Sequence, residues 1–423
     1  MSLRISTVLL LFIVVLNGCA TPRVLMPSPN VYVAGHEQLF GDIDGELKDH
    51  RVQLLYVTDR APEQDESGKL IYGFKRSSSA AFGTATVEIG EGTSWEQLVE
   101  QSLTSERSKP IRLRMGTITE LGRFPPTPFP FKAKGGFIEP DAKVVAEARA
   151  RERELHAEIN RRLALTPRKQ VWLYVHGYNN TFDDAAFTLA ESWHFMGREG
   201  VPILYSWPAG RGGLTGYAYD RESGEFTAYH LKQLVKSLAN DDRVQKINIL
   251  AHSRGTDVTI TALRELFIES RAAGIDPLAR FKISSLVLAA PDLDFSVIQQ
   301  RVMTEPIGPG VGHVTIYVSQ GDRAIGLSEW LFGGLTRLGT LQFGDLGTRQ
   351  IEIMETVGSL DIVDLRGEGG AFGHGYFHTN PASSSDLILN TRFERKAGAE
   401  YGRPLKKLGP GFWAIDDNYL LLP

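Results

Sequence analysis

The chain has 423 residues, of which 42% are apolar and 23% are charged, and its formal net charge is −4 at pH 7. These values are typical of soluble globular proteins, and they exclude a disordered tail, a collagen-like repeat and a protein with many membrane spans. Lysine and arginine together number 46, against 50 acidic residues. Because there is no basic excess, the charge gives no indication of a nucleic-acid partner.

The first feature in chain order is a short basic start followed by an apolar run. Arg4 precedes the uninterrupted apolar residues 8–16. This run is too short to cross a bilayer, which takes about 20 residues. We therefore predict that residues 1–18 are a secretory signal peptide.

The residues that follow indicate a lipid anchor. The sequence Leu16-Asn-Gly-Cys19 resembles the bacterial lipobox, in which the cysteine is acylated and becomes the mature N-terminus. Cys19 is the only cysteine in the chain, so an intrachain disulfide is impossible. The alternative is a buried apolar helix with an incidental cysteine. Resemblance to lipoproteins also implies sorting to the outer membrane, facing the periplasm, because Ala20 rather than aspartate follows the cysteine.

Two segments are predicted between the anchor and the main body of the chain. Residues 19–50 contain Pro22, Pro27 and Pro29 and little periodic apolar pattern, which predicts a tether. Residues 51–168 are predicted to form a β-rich N-terminal extension with a charged helix, packed on the core. Its predicted strands are 52–58, 85–90 and 111–118, and its predicted helix is 141–163.

Residues 169–423 alternate between strand and helix patterns. The strands are near-continuous apolar runs, as expected where helices cover both faces of a parallel sheet. The predicted fold class is therefore α/β, with a mostly parallel central sheet flanked by helices. Strands are predicted at 171–175, 201–207, 244–250, 283–290, 314–318 and 360–365, and helices at 181–196, 225–238 and 255–271.

A short motif marks the junction between the strand at 244–250 and the helix that follows. Ala251-His-Ser-Arg-Gly255 resembles the nucleophile elbow G-x-S-x-G, with alanine in place of the first glycine. Small residues flank such a serine because the sharp strand-to-helix turn brings two backbones close together. We predict that Ser253 is a nucleophile; the alternative is an ordinary N-cap serine.

A serine nucleophile requires backbone donors that stabilise the oxyanion of its intermediate. The first donor is expected from the residue after the nucleophile, Arg254, and the second from a loop after an earlier strand. Val175-His-Gly-Tyr-Asn-Asn180 resembles such a loop, which makes the Tyr178 N–H the second candidate donor. His176 precedes the serine, and the order expected here is serine, acid, histidine, so we expect a structural role for it.

Three carboxylates compete for the acid position, and two histidines for the base. Asp322 follows the strand at 314–318, whereas Asp292 and Asp294 follow the preceding strand, and strand order favours Asp322. His374 and His378 both lie downstream of the acid. Two histidines four residues apart could bind a metal on a helix, but the glycines at 373 and 375 indicate a loop, and no H-E-x-x-H motif is present. We predict the triad Ser253, Asp322 and His374, with no metal and no cofactor.

These motifs together resemble those of the α/β-hydrolase fold, and within it a group of bacterial lipase/esterase-like proteins of unassigned physiology. The resemblance covers about residues 26–388 and implies the fold and the triad, but not the substrate. The motifs are Leu25-Met-Pro-Ser-Pro-Asn-Val-Tyr32, Tyr56-Val-Thr-Asp-Arg60, His176-Gly-Tyr-Asn-Asn180, Ala251-His-Ser-Arg-Gly255, Ala290-Pro-Asp-Leu-Asp294, Gly321-Asp-Arg323 and His374-Gly-Tyr376.

The predicted function is a lipid-anchored serine hydrolase that cleaves small-molecule or lipid carboxylic esters through an acyl-enzyme. An acyltransferase or amidase could use the same triad. A non-catalytic envelope lipoprotein that keeps the fold as a binding scaffold is the alternative from another class. Residues 327–344 and 210–225 are candidates for a pocket wall or lid, and plain loop packing is the other interpretation of both.

Overall fold

The backbone is organised around one large β-sheet. The computed structural model describes residues 22–305, 307–331, 334–367 and 373–421. Within these ranges the strands are β1 (Arg51–Gln64), β2 (Leu70–Ile89), β3 (Leu113–Arg123), β4 (Phe131–Lys134), β5 (Phe137–Pro140), β6 (Gln170–Val175), β7 (Val201–Ser206), β8 (Lys246–His252), β9 (Ile283–Ala289), β10 (His313–Val318), β11 (Leu360–Leu365), β12 (Lys406–Gly409) and β13 (Phe412–Ile415).

The central sheet has the strand order β12-β13-β11-β10-β9-β8-β6-β7-β1-β2-β3. Neighbouring strands from β13 to β1 are parallel. Antiparallel pairs extend the sheet at both edges, with β2 and β3 on one side and β12 on the other. The predicted fold class, α/β with a mostly parallel sheet, is confirmed.

Helices cover both faces of the sheet. Alternate residues of one strand enter different apolar clusters: Leu173 of β6 packs in one cluster, and its neighbours Trp172 and Tyr174 pack in the other. Two-sided burial explains the continuous apolar runs in the strand sequences. The α-helices of the described ranges are α1 (Asn30–Val33), α2 (Trp95–Ser102), α3 (Ala142–Leu163), α4 (Phe182–Phe195), α5 (Leu214–Asn240), α6 (Gly255–Ala272), α7 (Pro277–Phe281), α8 (Phe295–Ile298), α9 (Arg323–Leu331), α10 (Thr348–Val357), α11 (Tyr376–Thr379) and α12 (Pro381–Thr391).

Local capping explains where the predicted helices begin. The Thr181 side chain accepts a hydrogen bond from the Asp184 N–H, and the Asp184 carboxylate accepts one from the Thr181 N–H, which starts α4 where the sequence predicts it. Helix α5 begins eleven residues before the predicted start at residue 225. The predicted helix began directly after Gly224, but this glycine lies inside the observed helix, where an added Cβ would lie 3.3 Å from Val258 of α6. Close packing of two helices therefore tolerates a glycine that propensity alone disfavours.

The predicted tether is wrong for residues 22–50. Leu25, Val31, Tyr32 and Phe40 are buried against the body, and the Leu25 N–H donates to the carbonyl of Ile111 at 2.7 Å. The apolar residues of this segment are spaced without helical or strand periodicity, and their burial comes from tertiary contacts that such a pattern does not reveal. Residues 1–21, which include the predicted signal peptide and Cys19, lie outside the described residues.

The predicted N-terminal extension is part of the central sheet instead of a layer packed on it. Strand β1 pairs in parallel with β7, and β2 and β3 continue the sheet beyond β1. The boundary at residues 168 and 169 therefore does not separate two layers. Sequence analysis also missed the β4–β5 hairpin and the C-terminal strands β12 and β13. No helix in the described ranges combines the length and hydrophobicity that crossing a bilayer requires.

Candidate active site

Ser253 lies on the sharp turn between β8 and α6. Its backbone adopts the left-handed conformation, with φ of +52°, and its N–H donates to the carbonyl of Ala289 at 2.9 Å. Left-handed φ is unfavourable for a residue with a Cβ, so the surrounding backbone contacts hold the serine in a strained position. This geometry is the strand–turn–helix elbow that the sequence predicts.

Two glycines allow the backbones to approach each other at this turn. An added Cβ at Gly255 would lie 2.6 Å from the carbonyl oxygen of Val175 and closer still to that of His176. An added Cβ at Gly177 would lie 2.7 Å from the Cβ of Ser253. The loop after β6 therefore passes directly beside the serine, as expected of an oxyanion loop.

Asp322 and His374 are joined by a hydrogen bond at the neighbouring strand ends. The Nδ1–H of His374 donates to Oδ2 of Asp322 at 2.8 Å, and the carboxylate is fully buried while the imidazole is 26% exposed. Oδ1 of Asp322 accepts hydrogen bonds from the N–H groups of Ala324 and Ile325 at the start of α9. The carboxylate is thus fixed on both oxygens, and one of them orients the imidazole.

His252 connects the histidine loop to the nucleophile, and sequence analysis did not assign it a role. Its Nε2–H donates to the backbone carbonyl of His374 at 3.0 Å, and the two ring centroids are 4.7 Å apart. Burial, together with the nearby His374, lowers the pKa of His252 well below its usual value, so the ring is neutral. Since His252 directly precedes Ser253, this contact links the backbone of His374 to the turn that carries the predicted nucleophile.

The loop that carries Tyr178 is held by two buried charged side chains. The Arg60 guanidinium donates to the Asn180 carbonyl at 2.9 Å, and the Asp220 carboxylate accepts from the Asn179 N–H at 2.9 Å. Burial raises the pKa of Asp220. These contacts fix the backbone around Tyr178. Arg254 directly follows the serine at the N-cap position of α6 and makes no side-chain capping hydrogen bond. The first N–H groups of a helix have no intrahelical partner.

His176 lies beneath this loop and is fully buried. Its ring stacks on Trp207, and its Nε2 accepts a hydrogen bond from the Trp207 N–H at 3.1 Å. Burial and the neighbouring Arg60 lower the pKa of His176 to about 3, so the imidazole is neutral at ordinary pH. These contacts are those of a structural histidine.

The two competing carboxylates after β9 have other partners. Asp294 caps α8 by accepting from the N–H groups of Ser296 and Val297. Asp292 is buried and accepts from the Tyr217 hydroxyl at 3.0 Å and from the Ser328 hydroxyl at 2.8 Å. Asp292 therefore connects the two segments predicted as pocket walls, since Tyr217 belongs to one and Ser328 to the other.

The second histidine lies away from the acid. His378 is buried, and its Nδ1 lies 2.9 Å from Oε1 of Glu191, a fully buried carboxylate that also forms an ion pair with Arg23. These two partners lower the pKa of Glu191 against the opposing effect of burial. His378 thus joins α11 to α4 and to the N-terminal segment.

Residues 336–341 cross the ends of two strands close to the site. The Gly339 N–H donates to the Pro291 carbonyl at 3.0 Å, and the Gly339 carbonyl accepts from the Ser319 N–H at 2.9 Å. Beneath this segment lies an apolar cavity of about 110 Å³, lined in part by Leu338, Leu341 and Phe295. The described ranges contain no group of three or more histidine, cysteine, aspartate or glutamate side chains arranged to hold a metal ion.

Comparison with known protein families identifies the fold as that of an α/β hydrolase. A family described as alpha/beta hydrolase of unknown function (DUF900) matches residues 151–392. The chain belongs to this family. The family match spans Ser253, Asp322 and His374, and the antiparallel strands β1–β3 lie before it. No curated protein matches the chain.

Proposed function

We propose that this α/β hydrolase is a serine hydrolase that cleaves carboxylic esters with Ser253 as nucleophile, His374 as general base and Asp322 as the orienting acid. The observation that carries the proposal is the hydrogen bond from His374 Nδ1 to the buried Asp322, at the same carboxyl edge of the sheet as the strained Ser253. An acid, an imidazole and an elbow serine in this chain order are the parts of a nucleophilic triad.

The chemistry follows from the role of each group. His374 accepts the Ser253 hydroxyl proton on Nε2 as Oγ attacks the ester carbonyl, and Asp322 stabilises the imidazolium that forms. The N–H groups of Arg254 and Tyr178 stabilise the oxyanion. The alcohol leaves with the proton from His374. Water then attacks the acyl-serine while His374 accepts a proton from it, and the same proton passes to Ser253 Oγ as the acid is released.

We also propose that the enzyme is attached to the bacterial envelope through acylated Cys19, on the periplasmic side of the outer membrane. The short apolar run at 8–16 and the lipobox-like Leu16-Asn-Gly-Cys19 support this assignment. Several acyl chains give stable attachment, because each buried methylene contributes about 0.8 kcal/mol.

Labelling with a fluorophosphonate probe tests the nucleophile independently of the natural substrate. The wild-type protein should be labelled, and Ser253→Ala should lose both labelling and hydrolysis of short activated esters, by about 10³-fold or more. Ser285→Ala is a matched control, because Ser285 is buried like Ser253 but lies within the central strand β9, and its hydroxyl has no hydrogen-bond partner among the described residues. Equal labelling of Ser253→Ala and wild type would favour the non-catalytic scaffold.

A panel of leaving groups separates ester hydrolysis from the related reactions. An ester hydrolase should release free acid from esters with water as acceptor, and it should cleave the matching anilides far more slowly. Comparable anilide cleavage would favour an amidase. Product esters formed with an added alcohol in preference to free acid would favour an acyltransferase.

A further inference from the structure

The β4–β5 hairpin projects from the body and exposes large apolar side chains. All of residues 131–140 are exposed, and the exposed fractions are 55% for Phe131, 80% for Phe137 and 67% for Ile138. The Asp141 N–H donates to the Pro130 carbonyl at 2.7 Å and closes the base of the hairpin. Single exposed apolar residues are ordinary, but this hairpin exposes three large ones within ten residues.

The strand register makes this hairpin amphipathic. Phe131 lies opposite Pro140 and Ala133 lies opposite Ile138. Since successive side chains of a strand point to opposite faces, these four residues form one wholly apolar face. The other face carries Lys132 opposite Glu139, and Lys134 opposite Phe137. Lysines beside an exposed apolar face are typical of segments that lie in a membrane interface, where the ammonium groups reach the headgroups.

The size of the apolar face argues against a protein partner. Two strands of four residues cover an area of about 14 by 10 Å, or about 140 Å². Stable protein interfaces bury about 800 Å² on each partner. A bilayer needs no complementary surface, and it accepts a small projecting apolar face with adjacent positive charges.

We propose that the β4–β5 hairpin is a second membrane contact, which inserts its apolar face into an anionic lipid bilayer independently of Cys19. Phe131, Ala133 and Ile138 would enter the boundary between headgroups and acyl chains. Lys134 would meet the anionic headgroups and raise binding about fivefold, and Lys132, which lies opposite Glu139, would contribute less.

The position of the hairpin gives this contact a consequence for the site. Strand β3, which leads to the hairpin, runs in the same direction as β1 and β7, so the hairpin follows the carboxyl edge of the sheet, where Ser253 also lies. Five strand spacings of about 4.8 Å separate β3 from β8, or about 24 Å. Insertion of the hairpin would hold the β3 side of this edge close to the bilayer, with the site about 24 Å away along the edge and accessible to esters at the membrane surface, a consequence that rests on the proposed function.

A single fluorescent label on the full chain tests the insertion directly. In a Cys19→Ser background a new cysteine is the only labelling position, and an environment-sensitive fluorophore can be placed at Ala133→Cys, Lys132→Cys or, as a distant exposed control, Ile275→Cys. With phosphatidylethanolamine vesicles that contain about a quarter phosphatidylglycerol, the label at 133 should shift to the blue, the label at 132 should shift less, and the label at 275 should not respond.

Further measurements with the same proteins separate the alternatives. The response at 133 should weaken about tenfold or more on phosphatidylcholine vesicles, and it should disappear with the added substitution Ile138→Asp. Responses of equal size at 133 and 275, or on both lipids, would overturn the proposal. So would a response that grows with protein concentration without vesicles, because this would indicate contact with a second copy. The readout does not depend on hydrolysis, so failure of the ester hydrolase proposal would leave it unaffected.

Discussion

The strained backbone of Ser253 is a measurable property of this residue. A left-handed φ of +52° costs a residue with a Cβ about 1–2 kcal/mol, and glycine avoids this cost. We therefore expect Ser253→Gly to be inactive but more stable than Ser253→Ala by about 1 kcal/mol, since alanine keeps the unfavourable φ. Thermal unfolding of the two variants measures the difference. Equal melting temperatures would mean that the turn is not strained in solution.

The two downstream histidines should respond differently to substitution. His374 is partly exposed and bonded to Asp322, so His374→Ala should abolish ester turnover and probe labelling with little change in melting temperature. His378→Ala should keep at least about a tenth of wild-type kcat/KM, within about 1.4 kcal/mol of transition-state stabilisation. It should also lower the melting temperature, because Glu191 loses a buried partner. Loss of turnover in His378→Ala alone would reassign the base.

The sequence predicted Ser253, Asp322 and His374 because each one follows a strand that its apolar run reveals. Strand order favoured Asp322 over Asp292 and Asp294 without excluding them, and the structure adds the hydrogen bond between Asp322 and His374, while Asp292 and Asp294 have other partners. The sequence did not reveal the contact of His252, because the partner is a backbone carbonyl far away in the chain. Side-chain contacts of this kind depend on tertiary structure and leave no periodic or local signal.

The end of β6 and the start of α6 lie so close together that one added methyl group at Gly255 should lower the stability of the protein. A Cβ at Gly255 would collide with the backbone carbonyls of Val175, the last residue of β6, and of His176, which directly follows it, and a backbone anchored to a central strand cannot easily move aside. Gly255→Ala should therefore destabilise the protein by about 2 kcal/mol or more and reduce hydrolysis. The free energy of unfolding in denaturant and the hydrolysis rate measure the two effects.

Gly224→Ala supplies the matched control within a neighbouring helix. Its added Cβ would lie 3.3 Å from a Val258 methyl group, which can shift slightly. Alanine also favours the helix by about 1 kcal/mol over glycine. We expect Gly224→Ala to be close to wild type or slightly more stable. Equal destabilisation by both substitutions would contradict the prediction, because it would mean that the clash with the backbone carbonyls at Gly255 is not the cause of the lost stability.

The elements were predicted with uneven success, for physical reasons. Buried parallel strands such as β6 and β8 produce continuous apolar runs, so their positions were predicted closely. The segment 22–50 was misassigned, because its prolines are typical of linkers while its burial depends on contacts with distant residues such as Ile111. The β4–β5 hairpin was missed because it is short and its glycines follow a proline-rich loop.

Three buried histidines make the whole molecule sensitive to acid. The pKa of His176 is lowered to about 3, and burial lowers the pKa values of His194 and His252 well below the usual 6.5. Between pH 6.5 and these values the unfolded chain binds protons that the native protein does not. The free energy of unfolding should therefore fall as the pH falls, by up to about 1.4 kcal/mol per pH unit for each histidine.

Denaturant unfolding at a series of pH values between 7 and 4 measures this slope. His194→Gln should reduce the slope by about 1.4 kcal/mol per pH unit, the contribution of one proton. The reason is that the His194 ring is fully buried and hydrogen-bonded to Ser102 and Arg198. An unchanged slope in His194→Gln would mean that this histidine is protonated in the native state.

The two proposed membrane contacts, acylated Cys19 and the β4–β5 hairpin, should make separable contributions to membrane attachment. Pro22, the first described residue, is three positions after Cys19 and lies close to the start of β3, so an acylated Cys19 would hold the folded body within about 10 Å of the bilayer. The hairpin lies beyond the opposite end of that strand, and its contact depends on lysines whose charge is screened by salt.

Cys19→Ser should therefore remain partly membrane-bound in cell fractionation at low salt and should be released by a high-salt wash. Cys19→Ser with Ile138→Asp should be released at low salt as well, whereas the wild type should stay with the membranes under both conditions. If Cys19→Ser still pelleted after the high-salt wash, attachment would not depend on the cysteine, and the lipobox assignment would be wrong.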